Sequence, residues 1–127
     1  MQDMEELNAL SHEVIAAAIE VHRHLGPGLL ESAYEECLGH ELTLRGIAFE
    51  RQKLMPLVYK GLIVKNAYRV DMLVENKIVV ENKAASVVLE VHESQVLTYL
   101  KLGNHRLGLI FNFHAKRLKD GICRLIR

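Results

Sequence analysis

The sequence predicts an α/β fold in which helices flank a mixed β-sheet. Apolar side chains recur every three or four residues up to about residue 45, which is the period of an amphipathic helix. After Gly46 the period changes to two, as is typical of strands, and helical spacing returns near Val91. The order helix, helix, three or four strands, helix, strand, strand favours one sheet covered by helices.

Two helices are predicted at the start of the chain. The first spans about residues 3–25 and ends at Gly26-Pro27-Gly28, because proline cannot continue the hydrogen-bond ladder of a helix. The second spans about residues 30–45 and ends at Gly46.

Short strands are predicted in the middle of the chain. Turn sequences at Lys60-Gly61 and Glu75-Asn76-Lys77 separate them. The predicted strands are residues 47–51, 54–59, 68–74 and 78–83.

The last part of the chain returns to a helix and then to two strands. The helix spans about residues 91–102 and closes at Gly103-Asn104. Residues 107–113 are almost continuously apolar, which indicates a strand covered on both faces. Asp120-Gly121 marks a turn, and residues 122–126 are predicted to form an edge strand.

The composition is that of a globular protein with balanced charge. Half of the 127 residues are hydrophobic and a quarter are charged, with 16 basic and 16 acidic side chains. Zero net charge argues against coating of nucleic acid through bulk charge. The length favours one domain over residues 1–127.

The cysteines and the apolar runs predict the compartment. Cys37 and Cys123 lie far apart and outside any Cys-x-x-Cys pairing, which favours reduced thiols over a zinc site or a disulfide framework. The acidic start differs from a signal peptide, and no apolar run approaches the ~20 residues of a membrane span. A cytoplasmic protein with no membrane partner is expected.

Three side chains around the second predicted turn form the candidate site. Alternate residues of a strand share a face, so Glu81 and Lys83 point the same way. If the turn takes three residues, Val74 lies opposite Ile78. Counting back from that pair places Asp71 opposite Glu81 on one face, with Cβ atoms roughly 5 Å apart.

Two facing carboxylates repel each other, and burying either one without a partner is unfavourable. A divalent ion would relieve this, and Mg²⁺ favours sparse, water-rich sites of oxygen ligands. Lys83 would then hold an attacking water or neutralise developing charge, which suits hydrolysis of a phosphodiester. The alternative is a structural ion pair of Lys83 with Asp71 or Glu81, and the pattern alone leaves both open.

The order of these residues resembles a known nuclease superfamily. Asp71…Glu81-x-Lys83 across a hairpin is similar to the PD-(D/E)XK motif, and Gly28-Leu-Leu-Glu31-Ser-Ala-Tyr34 is similar to the name motif of its small GxxExxY family. Further segments sit where that family has similar sequence, so the resemblance covers nearly the whole chain. They are Glu50-Arg51-Gln52-Lys53, Gln95-Val-Leu-Thr-Tyr99-Leu100 and Gly108-Leu109-Ile110-Phe111-Asn112-Phe113.

The resemblance implies a restriction-endonuclease-like αβββαβ core with a divalent-metal site for Mg²⁺ or Mn²⁺. The implied catalytic residues are Lys83, Glu81, Asp71 and Gln95, and the implied metal ligands are Asp71, Glu81 and Glu31. Tyr99 would lie beside the active site with Gln95. Residues four apart on a helix share a face, which supports that pairing.

Three neighbours of the candidate site complete the prediction. Tyr34 is expected to pack under the site or to donate a hydrogen bond to Glu31. His22 is expected to be a partly buried histidine, with a supporting role near the site left open. Asn82 departs from the family, which has an apolar residue there, and it needs a hydrogen-bond partner if it is buried.

The leading hypothesis is a metal-dependent nuclease that acts on DNA, with RNA as the alternative substrate. One alternative is a non-catalytic module of the same fold that binds nucleic acid or a protein partner, which the neutral charge favours. Another is a homodimer joined through exposed apolar surface on the helices or an edge strand. Lys116, Arg117 and Lys119 form a basic turn that is solvated or, if nucleic acid binds, contacts phosphates.

Overall fold

A computed structural model describes residues 3–127 of the chain. The bounds of its elements are α1 Met4–Leu25, α2 Glu31–Leu44, β1 Phe49–Tyr59, β2 Leu62–Val74, β3 Ile78–Lys83, α3 Glu90–Gly103, β4 Leu107–Asn112, a 3-10 helix Leu118–Gly121 and β5 Ile122–Ile126. Met1 and Gln2, which the predicted domain includes, lie outside the described residues.

The five strands form one mixed sheet in the order β1-β2-β3-β4-β5. β3 and β4 are parallel and joined through α3, whereas the other neighbouring strands are antiparallel. Every residue of β4 is buried, as its apolar run predicted, and β5 lies at the edge. The α/β class with a restriction-endonuclease-like core is confirmed.

The first part of the sheet differs from the prediction. Residues 47–51 and 54–59 were expected as two strands, but from Phe49 onward they form the single strand β1. Gln52, with φ of 49°, bends this strand without ending its pairing with β2. β2 also begins earlier than predicted, at Leu62, so that β1 and β2 make one long hairpin around the turn at Lys60-Gly61.

The two early helices end where the sequence predicts. The Asp3 carboxylate accepts a hydrogen bond of 2.9 Å from the Glu5 N–H and so caps α1. Gly26 ends the helix with φ of 70°, a conformation that favours glycine, and its N–H donates to the His22 carbonyl. No helix within residues 3–127 is long and apolar enough to cross a lipid bilayer.

Two apolar clusters cover the two faces of the sheet. Each buried aliphatic side chain stabilises the fold by roughly 1.5–3 kcal/mol. The larger cluster joins α1 and α2 to one face and includes Leu7, Val14, Tyr34, Leu38, Met72, Val80 and Phe111. The smaller cluster joins α3 to the other face and includes Val70, Leu73, Val79, Val96, Leu100 and Ile110.

Candidate active site

Asp71 and Glu81 meet where the backbone pairing of β2 with β3 ends. The paired positions run from Val74 and Ile78 at the turn to Met72 and Val80, in the predicted register.

Beyond this last pair, carboxylates accept the backbone hydrogen bonds. The Asp71 N–H donates to Glu81 Oε2 at 2.7 Å, and the Asn82 N–H donates to Asp71 Oδ2 at 3.0 Å. The two acids are therefore held side by side, as predicted, by hydrogen bonds from side chain to backbone.

The Glu81 carboxyl is strongly perturbed by its surroundings. It is only 4% exposed. Its pKa is raised to about 8, first because burial disfavours the charged form and then because the charge of Asp71 repels it. The Asp71 N–H and the charge of Lys83 lower the pKa but do not cancel those effects. The positive charge of Lys83 therefore does not compensate the two carboxyl groups, and the site favours a bound proton or cation.

Lys83 lies one pleat beyond Glu81, on the same face of β3. It is partly buried, and no ion pair among residues 3–127 includes it. The direct ion pair with Asp71 or Glu81, one of the two alternatives left by the sequence, is not formed there. The ammonium group is close enough for its charge to act on Glu81, yet it is not neutralised by contact.

The donor set fits a divalent cation with few protein ligands. The backbone donors engage Glu81 Oε2 and Asp71 Oδ2, and each carboxylate has a second oxygen. Within residues 3–127 no group of three or more His, Cys, Asp or Glu side chains is arranged to hold a metal. Two carboxylates completed by waters suit Mg²⁺, which keeps several waters when it binds.

Glu31 lies at the end of β3 but does not complete a cluster of three acids. Its Oε2 is 3.3 Å from the N–H of Ala84, the residue after Lys83. The first residue of α2 thus approaches the strand that carries the candidate lysine. The resemblance implied a metal ligand here, whereas the contact formed is with the backbone.

Two residues that the sequence analysis did not single out as site residues support Asp71: Gln52 contacts it, and Glu35 holds Gln52. Glu35 is buried on α2 and accepts two hydrogen bonds, of 2.9 and 3.1 Å, from Gln52 Nε2. Arg51 also pairs with Glu35, at 3.1 Å. Gln52 Nε2 lies 3.5 Å from Asp71 Oδ1, so a buried acid orients an amide toward the site. Gln52 is in a segment that carries the family resemblance, which is the one signal for it in the sequence.

The alternation of side chains along β2 is irregular where these residues meet. Tyr68 and Val70 pack with the α3 cluster, but Met72 packs with the cluster of α1 and α2. In a regular strand these three residues share a face, so the alternation changes phase at Asp71. The left-handed Gln52 lies across from this point. Irregular strands of this kind are common near functional sites.

Tyr99 lies beside the acids on the α3 side of the sheet. Its ring stacks on Tyr68, with centroids 4.8 Å apart. Burial raises its pKa first, and the charges of Glu81 and Asp71 raise it further. Gln95 is exposed one helical turn earlier.

Tyr34 and His22 hold loops. The Tyr34 hydroxyl donates to the Gly26 carbonyl at 2.5 Å and accepts from the Leu29 N–H at 3.1 Å, so the expected bond to Glu31 was wrong. Full burial against Phe113 turns the ring toward that loop. His22 is 93% buried (7% exposed), more than predicted, and its Nε2 lies 2.7 Å from the Ala115 carbonyl oxygen.

Asn82 is buried and only half satisfied. Its Nδ2 donates to the Met72 sulfur at 3.4 Å, a weak bond. Its Oδ1 has no hydrogen-bond partner in the described chain. The polar departure from the family therefore lies in the core, where the sequence predicted that a partner would be needed.

Fold and site together define a class of α/β proteins that carry two carboxylates and a lysine on a central hairpin. The family model of the PD-(D/E)XK nuclease superfamily matches residues 8–125, and the chain belongs to that superfamily. Neither the curated proteins nor the solved structures show a significant match. Membership implies a nuclease-like function and nucleic-acid binding, and nucleases of this superfamily typically use divalent metals.

Proposed function

We propose that this chain is a metal-dependent nuclease that hydrolyses phosphodiester bonds of DNA, or of RNA as the second substrate. The observation that carries the proposal is the pair of buried Glu81 and partly buried Asp71, with Lys83 on the same face as Glu81. Two carboxylates held this close repel each other when both are charged, and a bound cation would compensate them.

Asp71 and Glu81 would hold Mg²⁺ or Mn²⁺. When bound, the metal would polarise a phosphoryl oxygen of the substrate and lower the pKa of a bound water. Lys83 would orient the attacking water and stabilise the negative charge that develops on the phosphate. Its ammonium is suited to this because no carboxylate of the described chain pairs with it.

The remaining residues would position the substrate and the acids. Gln95 would contact a water or a phosphate, because its exposed amide lies one helical turn from Tyr99. Tyr99 would form one side of the site. Glu31, the first residue of α2, would contact a metal-bound water. Gln52 would hold the Asp71 carboxylate in place.

We also propose that the chain belongs to the GxxExxY branch and acts as one domain over residues 1–127. Gly28, Glu31 and Tyr34 form the motif, and the Tyr34 hydroxyl ties the loop that contains Gly28 to α2. The continuous five-stranded sheet supports a single domain. A cytoplasmic location and a homodimer stay predictions.

The chain contains its own matched control for the nuclease proposal. Glu75-Asn76-Lys77 in the turn and Glu81-Asn82-Lys83 in β3 have the same sequence. Lys83→Ala should lower Mg²⁺-dependent cleavage of plasmid or single-stranded DNA by about 10²–10³-fold, the loss typical of one charge-stabilising donor. Lys77→Ala should leave it unchanged, and Asp71→Asn should abolish it. Full activity of Lys83→Ala protein would refute the role of the lysine.

A non-catalytic nucleic-acid-binding module is the second candidate. It is favoured by the absence of a three-ligand metal group within residues 3–127 and by the backbone donors that already engage both carboxylates. Calorimetric titration with Mg²⁺ separates the two functions. Binding that is lost in Asp71→Asn protein supports the nuclease, and no heat at millimolar Mg²⁺ supports the module.

A further inference from the structure

The β1–β2 hairpin reaches well past the rest of the sheet. β2 has 13 residues, but only its last three pair with β3, and β1 is an edge strand. Residues 56–67, called the arm here, form the distal part of this hairpin. The tip of the arm exposes four large apolar side chains, each by more than half of its surface: Val58, Tyr59, Leu62 and Ile63.

The hairpin also carries a local excess of positive charge in a chain whose net charge is zero. Residues 51–70 contain five basic side chains and no acidic one. Arg51 and Lys53 are paired with acids, but the ion pairs within residues 3–127 include neither Lys60, Lys65 nor Arg69. Lys60 instead lies over the Tyr59 ring, 5.3 Å from its centroid.

Basic side chains without an ion-pair partner, next to exposed apolar and aromatic side chains, are suited to a ligand that has both negative charges and flat apolar faces. Single-stranded nucleic acid carries phosphates for the cations and free base faces for the aromatic and aliphatic groups. A duplex hides its base faces. A second copy of the chain, joined arm to arm, would bring Lys60 and Lys65 against their own counterparts.

The arm is continuous with the candidate active site. Arg69 and Tyr68 lie between the arm and Asp71 on β2, and the Tyr68 ring stacks on Tyr99. The charges of Glu81 and Asp71 act on Tyr99, so that ring borders the acids. A strand of nucleic acid bound to the arm would therefore pass the rings of Tyr68 and Tyr99 and reach the carboxylates of Asp71 and Glu81. An anionic membrane fits the charge of the arm but not this continuity.

We propose that the arm binds single-stranded nucleic acid and presents it to the site of Asp71, Glu81 and Lys83. The proposal rests on the proposed function for the last step, but the binding step is independent of cleavage. Lys60, Lys65 and Arg69 contact phosphates, and Tyr59 stacks on a base. The overall charge can then be neutral because acidic side chains elsewhere in the chain offset the excess of basic side chains on this hairpin.

Binding is measured in EDTA, so that cleavage cannot contribute. The probe is a labelled single-stranded DNA of about 20 nucleotides, longer than one site of this class, with its duplex for comparison, and the readout is fluorescence anisotropy. The parent protein should bind the single strand more tightly than the duplex. Lys60→Glu with Lys65→Glu should weaken binding by more than about tenfold and lower the salt slope by about 1.4, the value for two lost contacts.

Two controls separate local contacts from general charge and from unfolding. Lys77→Glu with Lys101→Glu makes the same change of charge outside the arm and should retain binding. Tyr59→Ala should weaken binding by about tenfold, whereas Tyr59→Phe, which keeps the ring, should retain it. Because none of these side chains is buried, each variant should melt at the temperature of the parent protein.

Several results would overturn the arm proposal. The first is unchanged DNA binding by the protein with Lys60→Glu and Lys65→Glu. The second is loss of DNA binding only when the charges of Lys116 and Lys119 are reversed. The third is binding to phosphatidylserine vesicles but not to DNA. A dimer that dissociates on Val58→Lys and Ile63→Lys, with unchanged DNA binding, would make the tip a self-association surface. A parent protein that binds through the arm without cleaving refutes the nuclease proposal alone. Cleavage with no effect of arm variants refutes the arm alone.

Discussion

The tripeptide Glu-Asn-Lys occurs twice in the central hairpin, six residues apart, with opposite outcomes. Glu75-Asn76-Lys77 forms the turn, where Glu75 and Asn76 are exposed and take φ of 51° and 54°. Glu81-Asn82-Lys83 lies in β3, where Glu81 is 4% exposed. Identical side chains thus acquire different chemistry from their position.

The two glutamates, Glu75 and Glu81, differ in their exposure to water and in their neighbours. Glu75 accepts a hydrogen bond of 2.8 Å from the Ala48 N–H at the surface. Glu81 is removed from water and placed beside Asp71, so its pKa rises to about 8. A motif search sees the same three letters in both places. Burial and a second acid distinguish the candidate site from an ordinary turn.

The largest contrast should appear in metal binding. Glu81→Gln removes one of two carboxylate ligands and should weaken Mn²⁺ binding by more than about a hundredfold, beyond the ~10–100-fold typical of outer-shell partners. Glu75→Gln should change nothing. Calorimetric titration of both proteins with Mn²⁺ checks this, and equal affinities would place the metal elsewhere.

The pH dependence of stability should reveal the perturbed carboxyl of Glu81 as well. Folded Glu81 titrates near 8 instead of 4.5, so the native state keeps a proton that the unfolded chain releases. Its stabilising effect is full below pH 4.5 and is lost as pH rises through 8. The free energy of unfolding should fall by at most about 1.4 kcal/mol per pH unit across this window.

Urea unfolding in EDTA at several pH values tests that dependence. The difference in unfolding free energy between the parent and Glu81→Gln proteins should grow in favour of the variant as pH rises. A difference that stays constant with pH would mean that folding does not raise the pKa of Glu81.

Gln52 should contribute to metal binding at the site of Asp71 and Glu81. Its amide lies 3.5 Å from Asp71 Oδ1 and is held by Glu35. Gln52→Ala should weaken Mn²⁺ binding by roughly tenfold, the size of an outer-shell loss. Glu50→Ala, an exposed neighbour on the same strand, is the matched control. If both variants bind Mn²⁺ as the parent does, Gln52 only fills space.

The smallest contrast is expected for the two asparagines, whose replacement should change the free energy of unfolding in opposite directions. Asn82→Leu removes a buried acceptor without a partner and should raise the free energy of unfolding by about 1 kcal/mol. Asn76→Leu puts a branched side chain at positive φ and should lower it by about 1–2 kcal/mol. Thermal denaturation of both proteins measures these shifts. Destabilisation by Asn82→Leu would show that the amide is needed.

Much of the architecture was readable from periodicity. The turn at Glu75-Asn76-Lys77 fixed the register, because a three-residue loop leaves one alignment of the apolar residues on its two sides. The sequence therefore predicts that Asp71 and Glu81 are neighbours. The long hairpin of β1 and β2 is not predicted, since Gln52 breaks the alternation and reads as the end of a strand.

The contacts around the acids were beyond the reach of the sequence. Glu35 is 17 residues from Gln52, and no local pattern indicates that a buried acid on α2 orients that amide. Tyr34 shows the same limit, because its hydroxyl bonds the loop at Gly26 although Glu31 is closer in the chain.

The sequence alone decides the order of elements, the register of the central hairpin and the set of polar groups available for chemistry. These follow from short-range spacing, which a linear chain displays directly. The packing of distant elements decides which Glu-Asn-Lys is buried, which acid is paired and where the unpaired cations collect. Desolvation and charge repulsion depend on distances in space, so the perturbed Glu81 exists only in the folded protein.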